Sequence, residues 1–136
     1  MIDLICGVDP GGTTGLILCS PRGEILDSSE ASRIPEVAGQ IREWSPDVLV
    51  VENFIPNRKV DNTALKVIGA VELLSEDMDI PMHLQSPSVL ARFKTKDAGG
   101  SPHINSALSH VRHWIFREVN RGNIRPTIGG RESKTQ

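Results

Sequence analysis

The sequence has few cysteines and no long apolar run. Its two cysteines, Cys6 and Cys19, form neither a CxxC pattern nor a cysteine/histidine spacing that would bind zinc. Both lie in apolar segments on either side of a Gly-Gly turn, so we predict two reduced, buried thiols that could lie close together. No stretch approaches the roughly 20 apolar residues that a membrane span requires.

The N-terminal segment MIDLICGVDP also lacks the basic region and the cleavage site of a signal peptide. We therefore predict that this segment is part of the fold, that the protein does not associate with membranes, and that it works in the cytoplasm. The 136 residues are enough for one domain that buries an ordinary core without disulfides.

The net charge of −2 does not by itself suggest a nucleic-acid partner, but the charges are unevenly distributed. Residues 1–91 contain six basic and 14 acidic residues, whereas residues 92–136 contain nine basic and three acidic ones. A basic segment of this kind is typical of a face that contacts phosphates. A solvated helix followed by a basic tail would give the same count.

The apolar pattern predicts the element order β-β-β-α-β-α-β-α. Residues 2–8, 13–19 and 24–30 predict three strands joined by tight turns, which is an antiparallel meander. The segment DVLVVE predicts a strand covered on both faces. IPMHL predicts a fifth strand, and Ser86 is a candidate cap for a short helix or turn. We therefore predict an α/β fold with a mixed five-stranded sheet flanked by helices, in which the meander is followed by parallel strands.

Helical spacing predicts which faces of the later helices are buried. In one helix, Ala64, Ile68, Val71 and Leu74 lie on one stripe, and the last helix, about 103–119, has a core stripe of Ile104, Leu108, Val111 and Ile115. His103, Ser106 and His110 lie on a different arc of that helix, roughly 130° away at about 100° per residue. We therefore predict that they lie outside the core, with His110 a surface residue, a proton shuttle or a phosphate contact. The domain is predicted to span 1–120, followed by a flexible basic tail over 121–136.

Two predicted strands end in an acid, Asp9 after LICGV and Glu52 after VLVV. If the two strands are parallel neighbours, both carboxylates lie at one edge of the sheet. Adjacent carboxylates repel each other, and burial adds to the cost, so such a pair persists when a proton or a cation lies between them. Hard divalent cations such as Mg²⁺ prefer carboxylate oxygens.

Five segments together resemble a known family. They are GVDPGGTTG at 7–15, VVENF at 50–54, NTALKVIGAVELL at 62–74, QSPSVLARF at 85–93 and HINSALSH at 103–110. Over roughly residues 2–118, the sequence resembles the RuvC-type Holliday-junction resolvases of the RNase H-like nuclease superfamily, especially their short phage forms. The resemblance implies an RNase H-like sheet and metal-dependent hydrolysis of phosphodiesters in branched DNA.

The resemblance also implies the metal ligands. Asp9 and Glu52 would bind Mg²⁺, or Mn²⁺, as a pair of ions, and the last helix would supply two further ligands three residues apart. Those positions are His103 and Ser106, and the serine stands where the family has an acid. Three alternatives remain open: Asn105 or Asp97 compensates, the serine is an inactivating substitution, or the protein binds junctions without cutting them well.

The resemblance further implies the partners. Branched DNA such as a four-way junction would be bound by a homodimer, in the host-cell cytoplasm if the protein is phage-encoded. Phe54 would stack on a base, and phosphates would contact the basic residues Arg58, Lys59, Arg92, Lys94, Lys96 and Arg112. A nucleotide-binding fragment of the sugar-kinase and actin type would open with a similar glycine-rich hairpin. It is disfavoured because such proteins need two domains of this kind.

Overall fold

The computed structural model describes residues 2–53, 62–90 and 94–124. The strands are β1 (Ile5–Asp9), β2 (Thr14–Cys19), β3 (Ile25–Ala31), β4 (Val48–Glu52) and β5 (Met82–Gln85). The helices are α1 (Ile34–Trp44), α2 (Thr63–Met78) and α3 (Pro102–Asn120), with a 3₁₀ turn at Pro87–Val89. This order confirms the prediction. Ser86 caps the 3₁₀ turn as expected, because its hydroxyl accepts a hydrogen bond from the Ser88 amide at 3.2 Å.

The five strands form one mixed sheet in the order β3-β2-β1-β4-β5. β1 and β2 pair antiparallel, as do β2 and β3, which is the predicted meander. β1 and β4 pair in parallel, and β4 and β5 do the same. The carboxyl ends of β1, β4 and β5 therefore lie at one edge, which is where ligand sites occur in α/β sheets.

Helices cover both faces of the sheet. One core contains β-strand residues such as Leu49 and Val51 with the apolar faces of α1 and α2, and the other contains Val48 and Val50 with α3. Each fully buried side chain of this size contributes about 1.5–3 kcal/mol. Alternate residues of β4 thus enter opposite cores, which explains why its sequence is apolar without alternation.

The cysteines are free and buried, as predicted, but they belong to different cores. Cys6 faces the α1/α2 layer, whereas Cys19 faces α3. Burial raises the pKa of both thiols well above the ordinary range, to about 12 for Cys19. They are therefore unreactive packing residues.

The helical faces were predicted in outline. α2 buries Ala64, Val67, Val71 and Leu74, with Val67 in place of the expected Ile68. In α3, the prediction that His110 lies outside the core is wrong, because its side chain is fully buried. The side of α3 that carries His110 packs against polar groups at the edge of the sheet. The spacing of apolar residues does not reveal burial of this kind. None of the helices in the described ranges is long and apolar enough to cross a membrane.

Candidate active site

Two glycines allow α3 to lie directly on the sheet. A Cβ atom added at Gly15 in β2 would come within 2.2 Å of the His103 carbonyl oxygen, and one at Gly7 in β1 within 2.7 Å of the Ala107 carbonyl oxygen. Real Cβ atoms do not approach so closely, so any larger residue would displace the helix. Gly15 therefore sets the distance between the first turn of α3 and the strands that end in acids.

The start of α3 is fixed by Ser101 and Pro102. The Ser101 hydroxyl accepts a hydrogen bond from the Ile104 amide at 3.1 Å and donates one to Glu30 in β3. Proline at the first helical position has no amide hydrogen that would need a partner. This capped turn carries His103 and Ser106 to the edge of the sheet.

Asp9 and Glu52 lie side by side at that edge, as the parallel pairing predicted. Their side chains are 19% and 17% exposed. Burial raises the pKa of Asp9 to about 7, together with Coulombic repulsion from Glu52 and a hydrogen bond that the protonated Asp9 donates to Glu52. Burial also disfavours ionisation of Glu52, but hydrogen bonding and Coulombic attraction from His110 outweigh it, so the pKa of Glu52 is lowered. Of the two acids, Asp9 is therefore the one that holds a proton more readily.

Both α3 residues expected at the site lie beside the acids. The Ser106 hydroxyl donates to Glu52 Oε1 at 3.1 Å. His103 Nδ1 lies 3.8 Å from Asp9 Oδ2, and its side chain is 43% exposed. All four predicted residues thus converge on one edge, with Ser106 bound to an acid.

Two further residues belong to this site: His110, whose role the sequence left open, and Gln85, to which it assigned none. His110 Nε2 lies 3.2 Å from Glu52 Oε1, and its Nδ1 lies 2.8 Å from the side-chain oxygen of Gln85. Gln85 is the last residue of β5 and pairs in register with Glu52. Gln85 ends its strand as Asp9 and Glu52 end theirs. This strand-terminal position is the sequence feature that could have identified Gln85 as a site residue.

The donor set fits a hard divalent cation. Two nearly buried carboxylates lie so close that ionising both is unfavourable, and a cation between them would offset their repulsion. In the described part of the chain, no three His, Cys, Asp or Glu side chains are already arranged to hold a metal ion. Asp9, Glu52 and the partly exposed His103 are the residues that would bind it, with water and substrate oxygens completing the shell, as Mg²⁺ prefers.

A cavity of about 550 Å³ adjoins the site, with Lys94, Lys96 and Ser106 among its lining residues. Asn105 shapes the loop that carries the lysines, because its side-chain oxygen accepts from the Ala98 amide at 2.9 Å and its amide donates to the Gly99 carbonyl at 2.8 Å. Asn105 therefore holds this loop and does not face the acids.

The other residues that were predicted to bind DNA or metal do not lie beside Asp9 and Glu52 or lie outside the described residues. Arg112 donates one hydrogen bond to the Gly23 carbonyl at 3.1 Å and another to Asp97 at 2.5 Å. Arg112 and Asp97 therefore form an ion pair. Hydrogen bonding and Coulombic attraction from Arg112 lower the pKa of Asp97. Asp97 is thus engaged away from Asp9 and Glu52. Phe54, Arg58, Lys59 and Arg92 lie outside the described residues, as does most of the predicted tail.

Solved structures share this fold. RuvC of Thermus thermophilus in complex with a Holliday junction substrate matches with a TM-score of 0.68 at 18% identity, over 90% of this chain and 99% of that one. A second Thermus thermophilus RuvC structure matches with a TM-score of 0.67 at 15% identity, with the same coverage. The fowlpox virus Holliday junction resolvase matches with a TM-score of 0.63 at 11% identity, over 84% of this chain and 99% of that one.

The protein therefore has the RuvC-like, RNase H-like fold of Holliday junction resolvases. No family model matches the sequence, and no curated protein does. The predicted fold class and the predicted resemblance are both confirmed. The identity is low, so the chemistry must be argued from the site itself.

Proposed function

We propose that this protein is a Mg²⁺-dependent endonuclease that cuts branched DNA, four-way junctions included. The observation that carries the proposal is the pair of nearly buried acids, Asp9 and Glu52, at the carboxyl edge of parallel strands. Such a pair is costly without a cation. Neighbouring structures of the same fold are Holliday junction resolvases, one of them in complex with its junction substrate.

The residues of this chain have separable tasks in the proposed reaction. Asp9 and Glu52 would bind Mg²⁺, with His103 as a further ligand, and the bound metal would supply an activated water and stabilise the leaving oxygen. Lys94 and Lys96 line the adjoining cavity, where their charges would hold backbone phosphates. Ser106 hydrogen-bonds Glu52, so it acts on the orientation of an acid.

We further propose that two copies act together, because a four-way junction requires two symmetric cuts. Leu65 and Leu73 of α2 are 40% and 68% exposed, which makes this helix the candidate surface for the second copy.

A second candidate function is junction binding with little cleavage. It is favoured by Ser106, which contributes a neutral hydroxyl. The RuvC-type resolvases that the sequence resembles have an acid at this position. A site with fewer negative ligands binds Mg²⁺ more weakly. Binding of DNA by the basic cavity would be unaffected.

A nicking assay tests the proposal. Labelled four-way junction and linear duplex of the same sequence are incubated with the protein in Mg²⁺ or in EDTA. We expect cleavage of the junction only, and only with Mg²⁺. Asp9→Asn should reduce cleavage to background while junction binding persists, because the amide preserves the shape of the side chain and removes the charge that binds metal.

The outcomes separate the candidates. Junction binding without Mg²⁺-dependent cleavage supports the second candidate. Equal cleavage by the parent and by Asp9→Asn rules out this acid as a ligand. Equal affinity for junction and linear duplex argues against a branched substrate.

A further inference from the structure

We propose that His110 and Gln85 are positioning residues that hold Glu52 in its metal-binding orientation. The inference rests on the proposed metal-dependent function. It assigns a role to a buried histidine and to the first residue of the QSPSVLARF segment. Neither residue touches the substrate in this scheme, since both act through Glu52.

The geometry is a clamp on one carboxylate oxygen. Glu52 Oε1 receives the Ser106 hydroxyl at 3.1 Å and lies 3.2 Å from His110 Nε2. Ser106 and His110 are four residues apart on α3, so they project from the same side of the helix. Both contacts are made to Oε1, so the clamp does not engage Oε2.

The imidazole ring of His110 is held on its other nitrogen, Nδ1, by the side chain of Gln85. His110 is fully buried, Gln85 is 7% exposed, and their side chains are 2.8 Å apart. The Gln85 amide group can present either its oxygen or its nitrogen to Nδ1. The ring can therefore keep a proton on Nε2, facing Glu52, whether it is neutral or charged, and the clamp does not depend on ionisation.

Burying these two polar side chains is costly unless each of them is hydrogen-bonded. A glutamine and a histidine in the layer between β5 and α3 replace apolar side chains that would pack without hydrogen-bonding requirements. Partners that orient metal ligands typically change metal affinity by about 10- to 100-fold when removed. A buried pair that ends on a candidate ligand has the geometry of such partners.

The test measures metal binding without DNA. Thermal melts of the full chain are followed as Mg²⁺ alone is added, which gives the Mg²⁺ concentration at half-maximal stabilisation. We expect His110→Leu to raise this concentration by about tenfold or more. His110→Gln should stay within about threefold of the parent, because its side-chain amide can still donate to Glu52.

Two additional variants separate positioning from stability. Gln85→Leu keeps the imidazole but removes its support, so it should also weaken Mg²⁺ binding, even if His110→Leu does not fold. Val71→Ala removes buried volume in the opposite core, so it should lower the melting temperature without changing the Mg²⁺ dependence.

Each outcome bears on the inference separately from the proposed function. Unchanged half-saturation in both His110→Leu and Gln85→Leu overturns the clamp, even if the parent cuts junctions. A parent that Mg²⁺ does not stabilise overturns it as well. Weakened Mg²⁺ binding in these variants, with no junction cleavage by the parent, supports the clamp and counts against the nuclease.

Discussion

The two helical layers bury different kinds of residue. The faces that α1 and α2 bury are apolar, with Val37, Ile41 and Trp44 from α1 and Ala64, Val67, Val71 and Leu74 from α2. α3 also buries apolar residues, but Asn105, Ser109 and His110 are buried among them. One layer therefore stabilises the sheet, whereas the other adds hydrogen bonds that organise its edge.

The difference follows from where each helix lies relative to the strand ends. The first turns of α3 lie against Glu52, with the loop around Ala98 held beside them. Polar groups buried there have partners in the acids, in Gln85 and in the loop backbone, so the cost of burying them is offset. Variants that change only one of the two layers can therefore test whether cleavage and metal binding depend on α3 and not on α1 and α2.

The largest contrast is expected between two glycines. Gly15→Ala would place a Cβ atom against the His103 backbone, so the helix must move. We expect about 1–3 kcal/mol of destabilisation and loss of junction cleavage, measured by urea unfolding and nicking. Gly39→Ala in α1 meets no atom within 4 Å, and alanine there should stabilise the protein by about 0.5–1 kcal/mol.

If Gly15→Ala were as stable and as active as the parent, the close contact between β2 and α3 would not hold the site. The comparison between layers would then lose its physical basis.

The next contrast adds a negative charge to each layer. Ser106→Asp removes the hydroxyl donor to Glu52 and places a third acid at the edge. We expect a lower melting temperature in EDTA because of carboxylate repulsion, and a larger Mg²⁺-induced rise than in the parent. Gln40→Glu in α1 adds the same charge elsewhere and should leave the Mg²⁺-induced rise unchanged. Equal Mg²⁺-induced rises in all three proteins would place position 106 away from the metal.

The pH dependence of metal-free stability isolates Asp9. Its pKa is 3.8 in the unfolded reference and about 7 in the fold, so the folded protein retains a proton that the unfolded chain has lost. The free energy of unfolding should therefore decrease as pH rises from about 4 to about 7, then level off. The lowered pKa of Glu52 acts only below its reference value of 4.5.

Urea unfolding in EDTA at several pH values between 4 and 8 measures this decrease. Asp9→Asn should reduce it, because the amide does not titrate. A decrease of the same size in the variant would assign the proton to another group.

The smallest effect is expected from the lysines. Replacing Lys94 and Lys96 with glutamine should reduce the slope of log junction affinity against log salt by about two, one for each lost phosphate contact. Arg42→Gln in α1 removes a charge that already pairs with Asp77 at 3.0 Å, and should leave the slope unchanged. Equal slopes for the parent and the double variant would mean that the cavity faces away from DNA.

Much of the fold was predictable because its signals are local. Apolar runs and turn residues predicted each strand, and the strand-terminal positions of Asp9 and Glu52 predicted that these two acids would meet. The meander and the parallel pairing followed from element order. The α3 register was also predictable near its start, since His103 and Ser106 both lie at the edge.

The roles of His110, Asn105 and Arg112 were not predictable in this way. Helical spacing assigned His110 to an arc outside the core, yet that arc is covered by Glu52 and Gln85. Arg112 binds Gly23 and Asp97, a pairing that the sequence did not indicate. Polar partners lie far apart along the chain, so periodicity carries no information about them.

Local sequence patterns specify the order of strands and helices and the positions of Asp9 and Glu52, because apolar periodicity and turn chemistry act between near neighbours. Packing of the folded chain brings Ser106 and His110 to one oxygen of Glu52 and places Gln85 next to the imidazole ring. That arrangement depends on the close approach of α3 to β1 and β2, which Gly7 and Gly15 permit because they have no Cβ atom. Such a distance is fixed by packing between elements, and no short stretch of sequence specifies it.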